Sequence, residues 1–287
     1  MRREAANTDP CTGAQLARPG ASLIEFSERG RTLSLVLAAL WTAQALLGLV
    51  LSGQYRDVAW IRATWFGNDL VTLVLAVPLL LAGVLRTGVG SRRAQLLWLG
   101  MLAYGAYNYA YYMLGAALNG FFPIYVLSLV LSVVTLIRLL TRLDGRLLAG
   151  LFRPGTPVRV IGGYLVFVAA GLSIVWLGIW AGYVFAGRPT PVEPEAFRLV
   201  AALDLSLMVP ALGCGGLLLW RRATSGYLIA TIAAVQGAFY LVVLSLNSAI
   251  AVVRGAVPPP GEVPIWGTLA LCTTAAAALL LASVRRA

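Results

Sequence analysis

Residues 67–86 read GNDLVTLVLAVPLLLAGVLR, and this stretch decides the fold class. After Asp69 it carries no charge until Arg86, and Pro78 sits near its middle. A helix crossing a hydrocarbon core of about 30 Å needs about 20 mostly apolar residues. Working outward, comparable stretches occur at roughly 33–53, 95–116, 121–141, 160–186, 198–220, 226–252 and 264–284. The expected fold is therefore an all-α, polytopic helical membrane protein with about eight transmembrane helices. Composition agrees: of 287 residues 60% are hydrophobic and 11% charged, with mean hydropathy +0.84, which excludes an ordinary soluble domain.

The stretches between spans are short or rich in Pro and Gly, as at Arg188-Pro189-Thr190-Pro191 and Val257-Pro258-Pro259-Pro260-Gly261. The expected organisation is a cytoplasmic N-terminal tail over 1–32 and a single transmembrane helical domain over 33–287, with a basic amphipathic linker near 138–159. The tail is too long and polar for a signal-peptide n-region, and no small-residue cleavage site follows the first span, so it is read as retained.

All 22 basic residues are arginine, no histidine is present, and the net charge is +11. The absence of histidine excludes Ser-His-Asp hydrolysis, imidazole proton shuttling, histidine haem ligation and His-rich zinc sites. Cys11, Cys214 and Cys272 are far apart and form no C-x-x-C pair. No enzymatic activity, cofactor or metal is expected. Of the arginines, 17 fall in the N-terminal tail, alternate loops and the C-terminus, against 5 in the remaining loops. Positively charged loops are retained in the cytoplasm, so both termini are expected there. The opposite side collects Trp60, Trp65, Phe66, Phe121, Phe122 and Trp266, which suit an interfacial aromatic belt.

The two halves share cues in the same order. Leu75-Ala76-Val77-Pro78 resembles Leu207-Met208-Val209-Pro210, each preceded by an aspartate, Asp69 or Asp204. Arg92-Arg93-Ala94 matches Arg221-Arg222-Ala223, Gly105-Ala106-Tyr107 matches Gly237-Ala238-Phe239, and Asn119 and Asn247 follow. Four spans per half make two parallel repeats, a plan common among transporters. Shared apolar composition is the competing explanation of these matches.

Ionisable groups within a membrane are costly, so Asp69 and Asp204 carry the strongest functional signal. Both belong to the exterior half, with Asp204 deeper. The expected binding set is Asp204, Asp69, Asn68, Asn108, Tyr111, Gln236 and Asn247 around a polar, outward-facing cavity. Pro78 and Pro210 are expected as hinges, because proline removes an intrahelical hydrogen bond and leaves a carbonyl oxygen free. Such a site suits a proton, a sodium ion, or a small cationic or lipid-like solute. Other readings stay open: Asp69 at the headgroups, Asp204 neutralised by a hydrogen bond or an arginine, and Gln44, Asn108 and Gln236 as interhelical bonds worth about 1 kcal/mol each.

The third span carries Tyr104, Tyr107, Tyr109, Tyr111 and Tyr112, and their rings are open to two readings, aromatic packing or stacking on a cation. Gly178-Ile179-Trp180-Ala181-Gly182 and Gly213-Cys214-Gly215-Gly216 signal close helix contact. Arg138, Arg142 and Arg146 recur at helical spacing among leucines, which predicts a basic interfacial helix against anionic lipid headgroups, with no nucleic acid as partner. A protein partner remains open. Leu23-Ile24-Glu25-Phe26 reads as another interfacial segment.

The Asp-containing second span with Val77-Pro78, the run Tyr107-Asn108-Tyr109 and the stretch Asn119-Gly120-Phe121-Phe122-Pro123-Ile124-Tyr125-Val126 together resemble uncharacterised multi-pass membrane proteins of bacteria over residues 33–252. The resemblance implies a bacterial plasma membrane and no activity. Two functions remain in view: transport or binding of a small cation, proton or cationic solute at the acidic site, and a non-enzymatic scaffold or accessory subunit of a larger complex.

Overall fold

In the computed structural model residues 23–24, 27–88, 90–255 and 260–285 are described. The first helix, α1 (Glu28–Val50), starts ahead of the apolar pattern because the Ser27 hydroxyl accepts from the Gly30 amide at 3.1 Å, satisfying one of the free N–H groups of the first turn. The second span is interrupted. Helix α2 (Ala59–Val71) passes through one π turn, Thr72–Ala76, into α3 (Val77–Thr87). Helices α4 (Arg92–Gly115) and α5 (Phe122–Leu140) complete a first set of four spans. A short α6 (Gly145–Ala149) leads to the second set: α7 (Val158–Ala186), α8 (Pro194–Leu203) joined through the π turn Asp204–Met208 to α9 (Val209–Trp220), α10 (Thr224–Val253) and α11 (Val263–Ser283).

Seven spans among the described residues are long and apolar enough to cross a membrane: α1, α2 with α3, α5, α7, α8 with α9, α10 and α11. Helix α4 is 24 residues long, but its tyrosine, asparagine and glutamine side chains lower its hydropathy. It is buried instead, packed by α3, α5 and α10 and touched by α8 and α11.

The two sets repeat one packing plan. Helix α3 lies on α4 as α9 lies on α10, α5 lies on α4 as α11 lies on α10, and α1 and α7 each cover their own interrupted span. The sets meet where α4 packs on α10, with α2 reaching α10 and α8 reaching α4 in exchange. The shared Val-Pro motif explains the two π turns. Pro78 and Pro210 have no N–H, and the residue before each donates five positions back, Val77 N–H to Thr72 O and Val209 N–H to Asp204 O. The repeat is inexact elsewhere. Asp204 starts its π turn, whereas Asp69 precedes its own by a helical turn, so the position matching Asp204 is Thr72. Asn119 caps a loop, its Oδ1 accepting from Phe121 N–H at 2.8 Å, whereas Asn247 lies within α10.

The arginine-rich loops gather at one end of the bundle, tied together by backbone and side-chain bonds. Gln95 Oε1 accepts from the amides of Leu23 and Ile24 at 2.9 and 3.2 Å, and Arg93 donates to the carbonyls of Ala282 and Val284, each at 2.9 Å. Asp144 N–H donates to Leu23 O, and Arg285 N–H to Leu151 O.

Several expectations are corrected here. Leu23 and Ile24 are fully buried beneath this network and are not interfacial. The basic helix from Arg138 to Leu148 does not form: α5 ends at Leu140, Leu143 bridges to Ile24, and Asp144 caps the separate α6 by accepting from Leu147 N–H at 3.3 Å. Arg138 and Arg142 therefore sit on different elements, with Arg138 Nε buried and without a partner among the described residues; the Arg146 side chain lies outside the described residues. Cys11, most of the 1–32 tail and Val257 to Pro259 also lie outside them. Trp65 and Phe121 are buried, at 1% and 5% exposure, and belong to the core and not to an aromatic belt. A β-carbon at Gly162 would lie 2.7 Å from Gly216 O, and one at Gly215 3.0 Å from Ala230 N, so the second small-residue run packs helices as read. Gly178 has no neighbour within 4 Å, so the first run does not.

Candidate functional site

Each intramembrane aspartate is fully buried and held by three donors from different elements. Asp69 faces α1, α4 and the turn after α1. Gln44 Nε2 donates to its Oδ1 at 2.8 Å, the Tyr112 hydroxyl to Oδ1 at 2.7 Å and the Tyr55 hydroxyl to Oδ2 at 2.7 Å. Gln44 Nε2 also lies 3.0 Å from Tyr55 Oη, and Gln44 Oε1 accepts from Tyr109 at 3.1 Å. Aromatic stacking fixes these donors: Trp65 stacks on Tyr55 and Tyr112 at 6.2 and 4.7 Å, and Tyr125 covers the other face of Tyr112 at 5.0 Å. Gly48 leaves the room, since a β-carbon there would collide with Asp69 Oδ2 and the Tyr55 hydroxyl. Tyr55 lies outside the spans, and burial, reinforced by the Asp69 carboxylate, raises its hydroxyl well above the ordinary tyrosine range. It therefore stays a donor.

Asp204 occupies the seam between the two sets. The Tyr107 hydroxyl of α4 donates to Oδ1 at 2.5 Å, while Trp176 Nε1 of α7 and the Tyr240 hydroxyl of α10 donate to Oδ2 at 2.9 and 3.0 Å. Tyr107 and Tyr240 also meet edge to face at 5.2 Å. The span Pro194–Trp220 has Asp204 near its middle, and its main-chain oxygen is the acceptor of the π bond from Val209. All three side-chain donors are neutral, and no arginine among the described residues pairs with either carboxylate.

The two aspartates do not converge. Their α4 donors, Tyr107 and Tyr112, are five positions apart, which places them about 140° apart around the helix and about 7.5 Å along it. A paired-carboxylate centre is thereby excluded, as is the single polar cluster expected from sequence. Asn68 and Asn108 are buried, at 1% and 4% exposure, and Asn68 Oδ1 and Asn108 Nδ2 have no partner among the described residues. Asn247 Oδ1 is likewise unpartnered and lies against Gly67, where a β-carbon would strike it. Tyr111 packs its ring 5.0 Å from Trp65, and Gln236 is buried one turn before Tyr240 without bonding Asp204. Pro78 and Pro210 sit at the π turns, where the hinges were expected.

Two of the donors escaped the sequence reading. Tyr55 lies in a short polar turn outside any span, and Trp176 lies in a helix apolar on every side, so neither carries a periodic signal. The tyrosine run gave part of the answer: Tyr107 and Tyr112 serve the carboxylates, and Tyr104 and Tyr109 pack on Trp41 at 6.4 and 5.7 Å.

Comparison with protein-family models, with curated proteins and with solved structures finds no match for this chain.

Proposed function

We propose that this integral membrane protein moves a proton or a small cation across the bilayer, with Asp204 as the coupling group and the two four-span sets shifting against each other. What supports the reading is the seat of Asp204: near the middle of an interrupted span, on a π turn, bonded to Tyr107 of one set and to Trp176 and Tyr240 of the other. A carboxylate in hydrocarbon needs a proton or cation to balance it, and a change of occupant there alters the bonds across the seam. Matched interrupted helices at a repeat interface suit such movement. On this reading the arginine-rich end faces the cytoplasm of a bacterial cell, with both termini inside.

A non-enzymatic accessory subunit is the second reading, favoured by the Asp69 cluster, whose donors saturate the carboxylate within one set of spans. Thermal unfolding in detergent across pH, with and without sodium, separates the two. A pH or sodium dependence that is present in wild type, absent in Asp204→Asn and retained in Asp69→Asn is the expected result. Trp176→Phe, which keeps the carboxylate and removes one donor, should shift the dependence without abolishing it. Identical profiles for wild type and Asp204→Asn overturn the coupling role.

A further inference from the structure

At the arginine-rich end, α3, α4 and α11 enclose a cavity of about 530 Å³. It is lined by Arg86, Arg92, Arg93 and Arg285 and by Leu79, Leu97 and Leu281. No acidic residue lines it, and among the described residues Arg86, Arg93 and Arg285 form no ion pair. Arg93 is oriented by the carbonyls of Ala282 and Val284, which fixes one guanidinium of the lining. Arg92 and Arg93 open the first turn of α4, the end of a helix where the backbone dipole disfavours cations. Like charges gathered there around an open cavity call for an anion. Leu79 and Leu281 belong to spans long enough to lie in lipid, so a free inorganic anion would leave the apolar lining unmatched.

We propose that this cavity binds an anionic phospholipid, with the phosphate held by Arg86, Arg93 and Arg285 and an acyl chain lying on Leu79, Leu97 and Leu281. The volume suits a headgroup and the start of its chains. Basic recesses between spans on the cytoplasmic side recognise such headgroups by charge-assisted bonds. The site is separate from Asp204 and does not depend on the function proposed above. It also differs from the Arg138, Arg142 and Arg146 surface, because its cations share one concave recess.

Dioleoyl phosphatidylglycerol titrated into the detergent-purified protein tests it, read by the unfolding temperature and by the lipid retained in native mass spectrometry. Phosphatidylcholine with the same chains and inorganic phosphate are the comparison probes. Phosphatidylglycerol should stabilise and remain bound, while the other two should not. Arg86→Gln with Arg285→Gln should weaken its apparent affinity roughly 25-fold, about fivefold per arginine. Both side chains are exposed, so folding should survive. Leu281→Trp, which enlarges the apolar lining with every arginine in place, should weaken binding as well. Unchanged affinity in the double variant, an equal shift with phosphate alone, or an equal loss in Arg138→Gln with Arg142→Gln overturns the site.

Discussion

Replacing Tyr55 by Phe removes one hydroxyl and leaves the ring stacked on Trp65 and edge to face with Phe121. The hydroxyl donates to Asp69 Oδ2 at 2.7 Å and accepts from Gln44 Nε2 at 3.0 Å. Hydrogen bonds to charged groups contribute about 1.5–3 kcal/mol in soluble proteins, whereas interhelical bonds in membranes average about 0.6 and reach about 1.7 kcal/mol. Tyr55 is 3% exposed at the end of a bundle, and Asp69 keeps two other donors, so a loss of about 1.5 kcal/mol is expected. In a chain of this size that lowers the unfolding temperature by about 2–3 °C. The pH dependence has a definite sign. Burial and Asp69 raise the hydroxyl in the folded state, so the folded protein keeps a proton that the unfolded chain loses above about pH 10. The wild-type advantage over Tyr55→Phe should therefore shrink above about pH 10, by up to about 1.4 kcal/mol per pH unit. Thermal unfolding of both proteins in one detergent, with Asp69→Asn and the double variant completing a cycle, measures all of this. A change below about 0.5 kcal/mol, an advantage that grows above pH 10, or strict additivity with Asp69→Asn would refute the reasoning.

Gly48→Ala should destabilise by about 1–3 kcal/mol through its collision with Asp69 and Tyr55, whereas Gly178→Ala, with open space around it, should stay within about 0.5 kcal/mol of wild type; denaturation midpoints decide. Gln95→Ala leaves the buried amides of Leu23 and Ile24 without an acceptor, so limited proteolysis near residue 24 should accelerate while the spans remain protected. Gly216→Leu should separate α7 from α9 and cost several times more than Gly213→Leu, whose nearest neighbour, Ala169 Cβ, is at ordinary contact distance, as measured by unfolding in detergent.

The residues that were legible share one property: their signal is a local sum. The mostly apolar stretch from Leu70 to Leu85 specifies a span wherever it sits, and two Val-Pro motifs specify two interrupted helices because proline lacks its N–H. Asp69 and Asp204 were visible for the same reason, since a carboxylate among apolar residues stands out along the chain. Their surroundings were not visible. Asp204 is served by residues 97, 28 and 36 positions away, and Asp69 by residues 25, 14 and 43 positions away. The expected continuous helix from Arg138 to Leu148 failed because regular spacing gave no sign that Leu143 would pair with Ile24 beyond the end of α5.

Sequence by itself determined the all-helical, membrane-spanning class and the approximate limits of the spans, the gathering of arginines toward one set of loops, and the two carboxylates within apolar stretches. Tertiary structure alone decided that these carboxylates lie on different sides of α4, that Asp204 bridges the two sets of spans while Asp69 stays within one, and that four arginines line a cavity. The physical reason is the loss of phase. A helix in water shows which face is buried by where its polar residues fall, but a span in lipid is apolar on both its lipid face and its packed face. Its rotation about its own axis, and therefore the partners its few polar side chains meet, is set only when the helices pack.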